Sequence, residues 1–250
     1  MPGGVREARD GAGAGRGRGR VGVRSALRSG TEASSNGRTA DFGSAYEGSN
    51  PSASAKPAPQ RPANQRAELK SLPMPGRIVL VALGAVPRQL LAEVGSALEG
   101  TCGPRAEHGP TQGRPDYSFN KDRNQFHASA ILRRLDHLPG RPRGIPILGI
   151  TDADLFVPDA PFVFGEADRD AQTAVVSVAR LKAAADGRPV APERLRRRAQ
   201  VESVHEIGHL LGLSHCSDFR CAMFLSHTAA DTDRKGPGLC PLCKAALGLG

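Results

Sequence analysis

From residue 74 onward the sequence predicts an α+β domain, α/β-like in the way its strands alternate with helices. Three observations lead there. Continuous apolar runs of strand length, RIVLVALGAV (77–86) and IPILGITDADLF (145–156), read as buried central strands. Segments between and after them carry helical spacing instead. The longest of these, APERLRRRAQVESVHEIGHLLGL (191–213), runs into a short loop-rich tail that holds four of the five cysteines.

Taken in order, the strand at 77–86 leads into PRQLLAEVGSALEG (87–100), a helix with proline in its first turn. Residues 101–116 are rich in Gly and Pro and read as a loop. DRNQFHASAILRRLDHL (122–138) places Phe126, Ala130, Ile131 and Leu135 on one side of an amphipathic helix. The strand at 145–156 ends in acidic turn residues. PFVFGEA (161–167) and TAVVSVARL (173–181) are two more strands. The helix at 191–213 has Pro192 near its start and Glu193 in its first turn, both favourable there.

Hydrophobic content is 39%, aromatic content 4%, and Trp is absent, so the core must be built from Leu, Val, Ile and Ala. The net charge of +9 is unevenly spread: residues 1–73 hold 12 Lys/Arg against 6 Asp/Glu, and the rest 22 against 19. A nucleic-acid patch is therefore excluded from the folded part. No apolar run approaches the length of a membrane span.

Residues 1–73 form a separate region, a basic low-complexity leader (GAGAGRGRGRVGVR, NPSASAKPAPQRPANQR) expected to be disordered. A solvated tail is the preferred reading over an RNA-binding or membrane-surface arm. Gly48-Ser49-Asn50-Pro51 can be encoded by GGT TCG AAT CCC, which contains the GGTTCGAATCC of a transfer-RNA T-arm. The expectation is a mis-annotated start: an upstream tRNA gene translated in frame, with true initiation at Met74 and the domain over 74–250. A signal peptide at Arg77 is disfavoured because no A-x-A-like site follows.

The chemistry concentrates in VHEIGHLLGLSHCSDFRCAM (204–223). His205, Glu206 and His209 make an HExxH motif, and i, i+4 spacing on a helix lets both imidazoles reach one metal. Glu206, one residue on, can act as general base on a zinc-activated water without occupying a coordination position. Gly212 can take the left-handed conformation that ends the helix and returns the chain, bringing His215 in as third ligand. The string HEIGHLLGLSH fits HExxHxxGxxH, the metzincin form of the motif, with Met223 placed for the Met-turn.

A closed site of three histidines and Cys216 would leave no open position for catalysis, so Cys216 is assigned elsewhere. Cys216, Cys221, Cys240 and Cys243 form two close pairs suited to a structural zinc that clips the tail. Disulfide or redox cysteines are the alternative, but the CxxC lacks a thioredoxin-like context. Cys102 reads as an unpaired thiol without function. Clustered metal-type cysteines favour a reducing compartment, hence a cytoplasmic location.

These residues resemble the archaemetzincins, whose pattern is HExxHxxGxxHCxxxxCxM, about seventeen residues, then CxxC. Here the spacer at 224–239 is sixteen residues. RNQFHASAIL, ILGITDADLFVPDAPFVFGEA and DTDRKGPGLCPLC are similar to family segments in the same order, and the resemblance covers roughly 77–247. It implies a compact metzincin-like domain with a mixed twisted sheet, an active-site helix carrying HExxH and a zinc-clipped, loop-rich C-terminal subdomain. It also implies two zinc ions per chain: a catalytic one on His205, His209 and His215, and a structural one on the four cysteines. In metzincins an upper edge strand pairs with the substrate backbone, and FVFGEA (162–167) is the candidate here, with core packing of Phe162 and Phe164 the competing reading.

The expected function is a zinc-dependent metallopeptidase with a peptide or protein substrate, acting as a monomer without nucleic-acid or membrane partners. The alternative is a two-zinc binding or structural protein with little hydrolytic activity. A zinc-ribbon nucleic-acid binder would leave the histidine string unexplained.

Overall fold

Each residue of β1 (Arg77–Leu83) after Arg77 is apolar, and the strand uses both of its faces. Ile78, Leu80 and Ala82 point into one core, while Val81 and Leu83 point into another. A strand buried on both sides needs such a run, because alternation would expose polar groups to one of the cores. The structure, a computed structural model, describes residues 74–184 and 186–249. The expectations for residues 1–73, disorder and a start downstream of them, lie outside the described residues.

The main sheet has five strands in the order β2-β1-β5-β9-β8. They are β1, β2 (Arg105–His108), β5 (Ile147–Thr151), β8 (Gly165–Asp168) and β9 (Thr173–Ser177). The first four in that order run parallel, and β8 closes the edge antiparallel to β9. A smaller sheet of β3 (Phe119–Asn120), β4 (Gln125–His127), β6 (Leu155–Val157) and β7 (Ala160–Val163) has the order β3-β4-β6-β7.

Helices cover both faces of the main sheet. α1 (Arg88–Cys102) buries Leu90, Leu91, Val94 and Leu98, and packs with α3 (Pro192–Leu210) on the face carrying Leu80, Leu148 and Val176. α2 (Ala128–Asp136) lays Ile131, Leu132 and Leu135 on the opposite face, against Val81, Ile147 and Val175. The tail adds two short helices, α4 (Ala229–Arg234) and α5 (Pro241–Ala246). α4 opens with a capping box between Thr228 and Asp231. The mixed α/β architecture is the predicted one.

Several boundaries differ from the sequence reading, each for a local reason. The loop at 101–116 contains β2, whose backbone pairs with β1 although its side chains are largely exposed. The helix expected at 122–138 begins only at Ala128, because Gln125–His127 is drawn into β4. The run 145–156 is two strands in two sheets, broken where Thr151 Oγ1 accepts the Ala153 N–H in a tight turn. The strand at 161–167 divides likewise at Phe164, whose ring is buried and whose carbonyl accepts from Ser177 N. β9 stops at Ser177, where the hydroxyl donates to Ala153 O and accepts from Ala179 N.

Candidate active site and metal centres

α3 delivers His205, Glu206 and His209 together, and its end delivers the rest. At that end Gly212 N donates to His209 O and Leu213 N to Gly208 O, a Schellman closure with Gly212 at φ 99°. Only glycine adopts that backbone angle without strain. The turn points the Leu213 carbonyl back at the His209 ring and carries the chain round to His215.

His205, His209 and His215 each offer a ring nitrogen, and these atoms all lie within 4.8 Å of one another. The ring centroids are 4.6 to 5.2 Å apart. His205 Nδ1 meets Ala222 O at 2.8 Å, and His209 Nδ1 meets Leu213 O at 2.9 Å. A carbonyl can only accept, so both Nδ1 atoms carry the proton and both Nε2 atoms present lone pairs. Those Nε2 atoms are 3.1 Å apart. Two lone pairs so close repel one another unless a cation lies between them. Tetrahedral zinc with nitrogen ligands sets neighbouring donors roughly 3.3 Å apart, so the set fits zinc.

Burial holds the imidazoles neutral, as metal binding requires. It pushes His205 down to about 3, with the nearby Lys235 charge acting in the same direction. His209 and His215 are lowered by burial too. Glu206 moves the other way. Burial first, then the neighbouring Glu202 and Glu166 carboxylates, raises it well above the usual carboxylate range.

Glu206 lies against the start of β8. A Cβ at Gly165 would stand 2.5 Å from Glu206 Oε1, so that carboxylate is seated where the edge strand has no side chain. Behind the helix, a Cβ at Gly208 would overlap the Met223 sulfur, and Met223 is wholly buried. Methionine thus forms an apolar floor pressed against the turn of α3 between the two histidines. A cleft of about 270 Å³ runs over this region, with Pro161, Phe162, Val163, Glu206, Leu225 and His227 among its lining residues. Phe162 and Phe164 both line this cleft, their rings 5.3 Å apart, and Phe164 is the more deeply buried of the two.

The four tail cysteines gather a few residues away. Cys216, Cys221, Cys240 and Cys243 place their sulfurs within 4.8 Å of one another, with Cys216 and Cys240 at 3.7 Å. Zinc–sulfur bonds of about 2.3 Å in a tetrahedron put neighbouring sulfurs roughly 3.8 Å apart, and the set fits that as well. Asp218 N donates to Cys216 Sγ and Cys240 N to Cys221 Sγ, both at 3.4 Å, as backbone amides do around thiolates. No disulfide forms among the described residues. Cys102 is the buried last residue of α1, far along the chain from this cluster, and burial pushes its thiol up to about 12.

The structure brings His205, His209 and His215 into one group and the four tail cysteines into another, with Gly212 at the turn that ends α3 and Met223 packed against Gly208. Sequence reasoning passed over Gly165, Glu202 and Lys235. Glu202 carries one faint signal, a carboxylate one helical turn before Glu206. Lys235 carries none, since nothing in its spacing marks a lysine as buried.

Histidines aligned at i, i+4 beside a buried glutamate are the equipment of a zinc metallopeptidase, and comparison with known proteins places the chain in that class. Residues 116–248 match the profile of peptidase family M54. An archaemetzincin of Thermococcus kodakarensis is 34% identical over 175 residues, covering 68% of this chain and 94% of that protein. One from Methanocaldococcus jannaschii is 38% identical over 133 residues, 53% of this chain and 72% of its own. The chain belongs to peptidase family M54, the archaemetzincins. Among solved structures, Methanopyrus kandleri archaemetzincin superposes with a TM-score of 0.62 at 32% identity, covering 70% of this chain and 95% of that one. A zinc-dependent peptidase from Methanocorpusculum labreanum gives 0.62 at 29% identity, covering 68% and 99%.

Proposed function

We propose that the protein is a metzincin-type peptidase with two zinc ions, which cleaves peptide bonds with Glu206 as general base. The observation that carries this is the paired Nε2 atoms of His205 and His209, deprotonated and 3.1 Å apart, with the His215 ring beside both. His205, His209 and His215 would hold the catalytic zinc. When bound there, that ion supplies Lewis acidity, lowering the pKa of a water and polarising the scissile carbonyl.

The chain's own groups do the rest. Glu206 takes the proton of the attacking water and returns it to the leaving amine, so one carboxylate serves as base and then acid. Its seat beside Gly165 fixes it next to the segment 160–165, which borders the cleft. That segment, from edge strand β7 to the start of β8, is read as the edge on which an extended peptide pairs. Met223 and the Gly212 turn hold the ligands from beneath and behind. Cys216, Cys221, Cys240 and Cys243 would bind the structural zinc, and the His215–Cys216 peptide bond joins the two centres. The reading extends to a peptide or protein substrate, a monomer, no nucleic-acid or membrane partner and a cytoplasmic location. Among the described residues no helix is long and apolar enough to cross a membrane.

The test is metal analysis and peptide-library cleavage on the full chain and its Glu206→Ala variant. The expected result is two zincs in both proteins and cleavage only by the parent. Equal cleavage rates would remove Glu206 from the mechanism. A fully zinc-loaded parent that cleaves nothing would favour a binding role instead.

A further inference from the structure

Lys235 has no exposed surface, and it is the largest fully buried side chain among the described residues. An ammonium in that position is costly unless its three protons are met. They are: Nζ reaches Phe224 O at 2.7 Å, Ala222 O at 3.1 Å and Glu202 Oε1 at 3.3 Å. The first two acceptors are the carbonyls on either side of Met223. The third is a carboxylate on α3, one turn before the histidine motif and itself 3% exposed. Ser226 Oγ donates to the same Oε1 at 2.9 Å.

The Ala222 carbonyl is shared. It accepts from Lys235 Nζ and from His205 Nδ1, the bond that fixes the tautomer and ring plane of His205. The segment bearing Lys235 is itself tied to α3. Arg198 makes a two-pronged ion pair with Asp233, at 2.7 and 2.8 Å, and Arg197 donates to Lys235 O at 2.8 Å.

We propose that Lys235 and Glu202 are positioning residues for the catalytic metal site. The ammonium pins the carbonyls that flank Met223, and the Glu202 carboxylate locks that ammonium to α3, so that Ala222 O stands where His205 must donate. Outer partners of this kind set the orientation and basicity of a ligating histidine. A buried ion pair seldom adds net stability over apolar packing, so holding a ligand in place is what this one supplies. The inference rests on His205 being a metal ligand.

The test exchanges cobalt(II) for zinc in the full chain. Thiolate-to-cobalt charge transfer reports the four-cysteine site, and the weaker ligand-field bands report the histidine site. The main variant is Lys235→Met with Glu202→Gln, which removes both charges and leaves neither unpaired. Glu202→Gln alone keeps the volume and the Ser226 hydrogen bond, and is read in the same way if the double variant does not fold. Asp233→Asn is the control, since it loosens the same segment without touching the Ala222 carbonyl.

The expected result is a roughly 10- to 100-fold loss of histidine-site affinity in chelator competition, with shifted ligand-field bands and an unchanged thiolate band. The control keeps its histidine-site affinity. Unchanged affinity and bands in the double variant overturn the inference, even if the melting temperature falls. So does an equal loss in Asp233→Asn, or an equal loss at both metal sites, because a merely structural role gives those results. A parent that takes up no cobalt at its histidines overturns the metal-site reading itself, and this inference with it.

Discussion

Gly165 and Glu206 occupy complementary space: the carboxylate lies where residue 165 would carry its Cβ, with Oε1, Cγ and Cδ all within 2.7 Å of that point. Glu206 lies near the C-terminal end of α3 and is buried, with the cleft as the space into which its carboxylate can shift. Gly165→Ala should displace the carboxylate while leaving the histidines in place. A misplacement on the scale of 1 Å costs on the order of 100-fold in rate, so kcat should fall by about that factor with zinc content unchanged. Parallel metal analysis and steady-state kinetics check it, and a variant with parental kcat would mean that the general base tolerates displacement.

The Gly208–Met223 contact predicts an inverted sign. Alanine in a helix interior is ordinarily more stable than glycine by about 1 kcal/mol. At position 208 the new methyl would overlap the Met223 sulfur, which is buried with no surface to yield. Overpacking of this kind costs about 1–3 kcal/mol, so Gly208→Ala should be destabilising by about 1 kcal/mol despite its helix propensity. Urea denaturation of the zinc-loaded proteins measures the difference. A rise in stability would show that Met223 has another place to go.

The same contact shows what the sequence discloses and what it conceals. HExxHxxGxxH brings three histidines together because helical spacing and one glycine turn determine their positions without reference to the rest of the chain. The cysteine pairs are legible for the same reason, being short-range. Strand boundaries are less so: 145–156 and 161–167 read as single apolar runs, yet each is shared between two sheets, since burial alone does not say which core a strand enters. Gly165 could not be read as room for Glu206, because the two meet only when β8 reaches α3. Lys235 and Glu202 are 33 positions apart, and no local pattern distinguishes their charges from solvated ones.

The tail cluster yields a graded outcome. Cys240 lies 3.7 Å from Cys216 and its N–H donates to Cys221 Sγ, so it joins both halves of the four-cysteine set. Cys240→Ser should reduce zinc from two per chain towards one and lower the melting temperature. Cys216 follows His215 directly, so the remaining zinc should also be released more readily to a chelator. Metal analysis before and after chelator treatment reads both effects. Full retention of two zincs through chelator treatment would mean that Cys240 is not a required ligand.

Cys102 provides a pH test at a cysteine outside the four-cysteine group. Burial pushes its thiol up to about 12 from an ordinary value of 9.0. Between those two values the unfolded chain loses the proton while the folded chain keeps it. The unfolded state therefore binds fewer protons there, and stability must fall as pH rises. Below pH 9 the thiol is protonated in both states and contributes no slope. Cys102→Ala removes this linkage along with the core packing of the sulfur. The variant should accordingly be less stable than the parent at neutral pH, and the gap should narrow steadily above pH 9. Denaturant titrations of both proteins at a series of pH values measure that gap. A constant gap would mean that the folded thiol titrates normally, and rapid alkylation of Cys102 in the native protein would point the same way, since only the thiolate reacts.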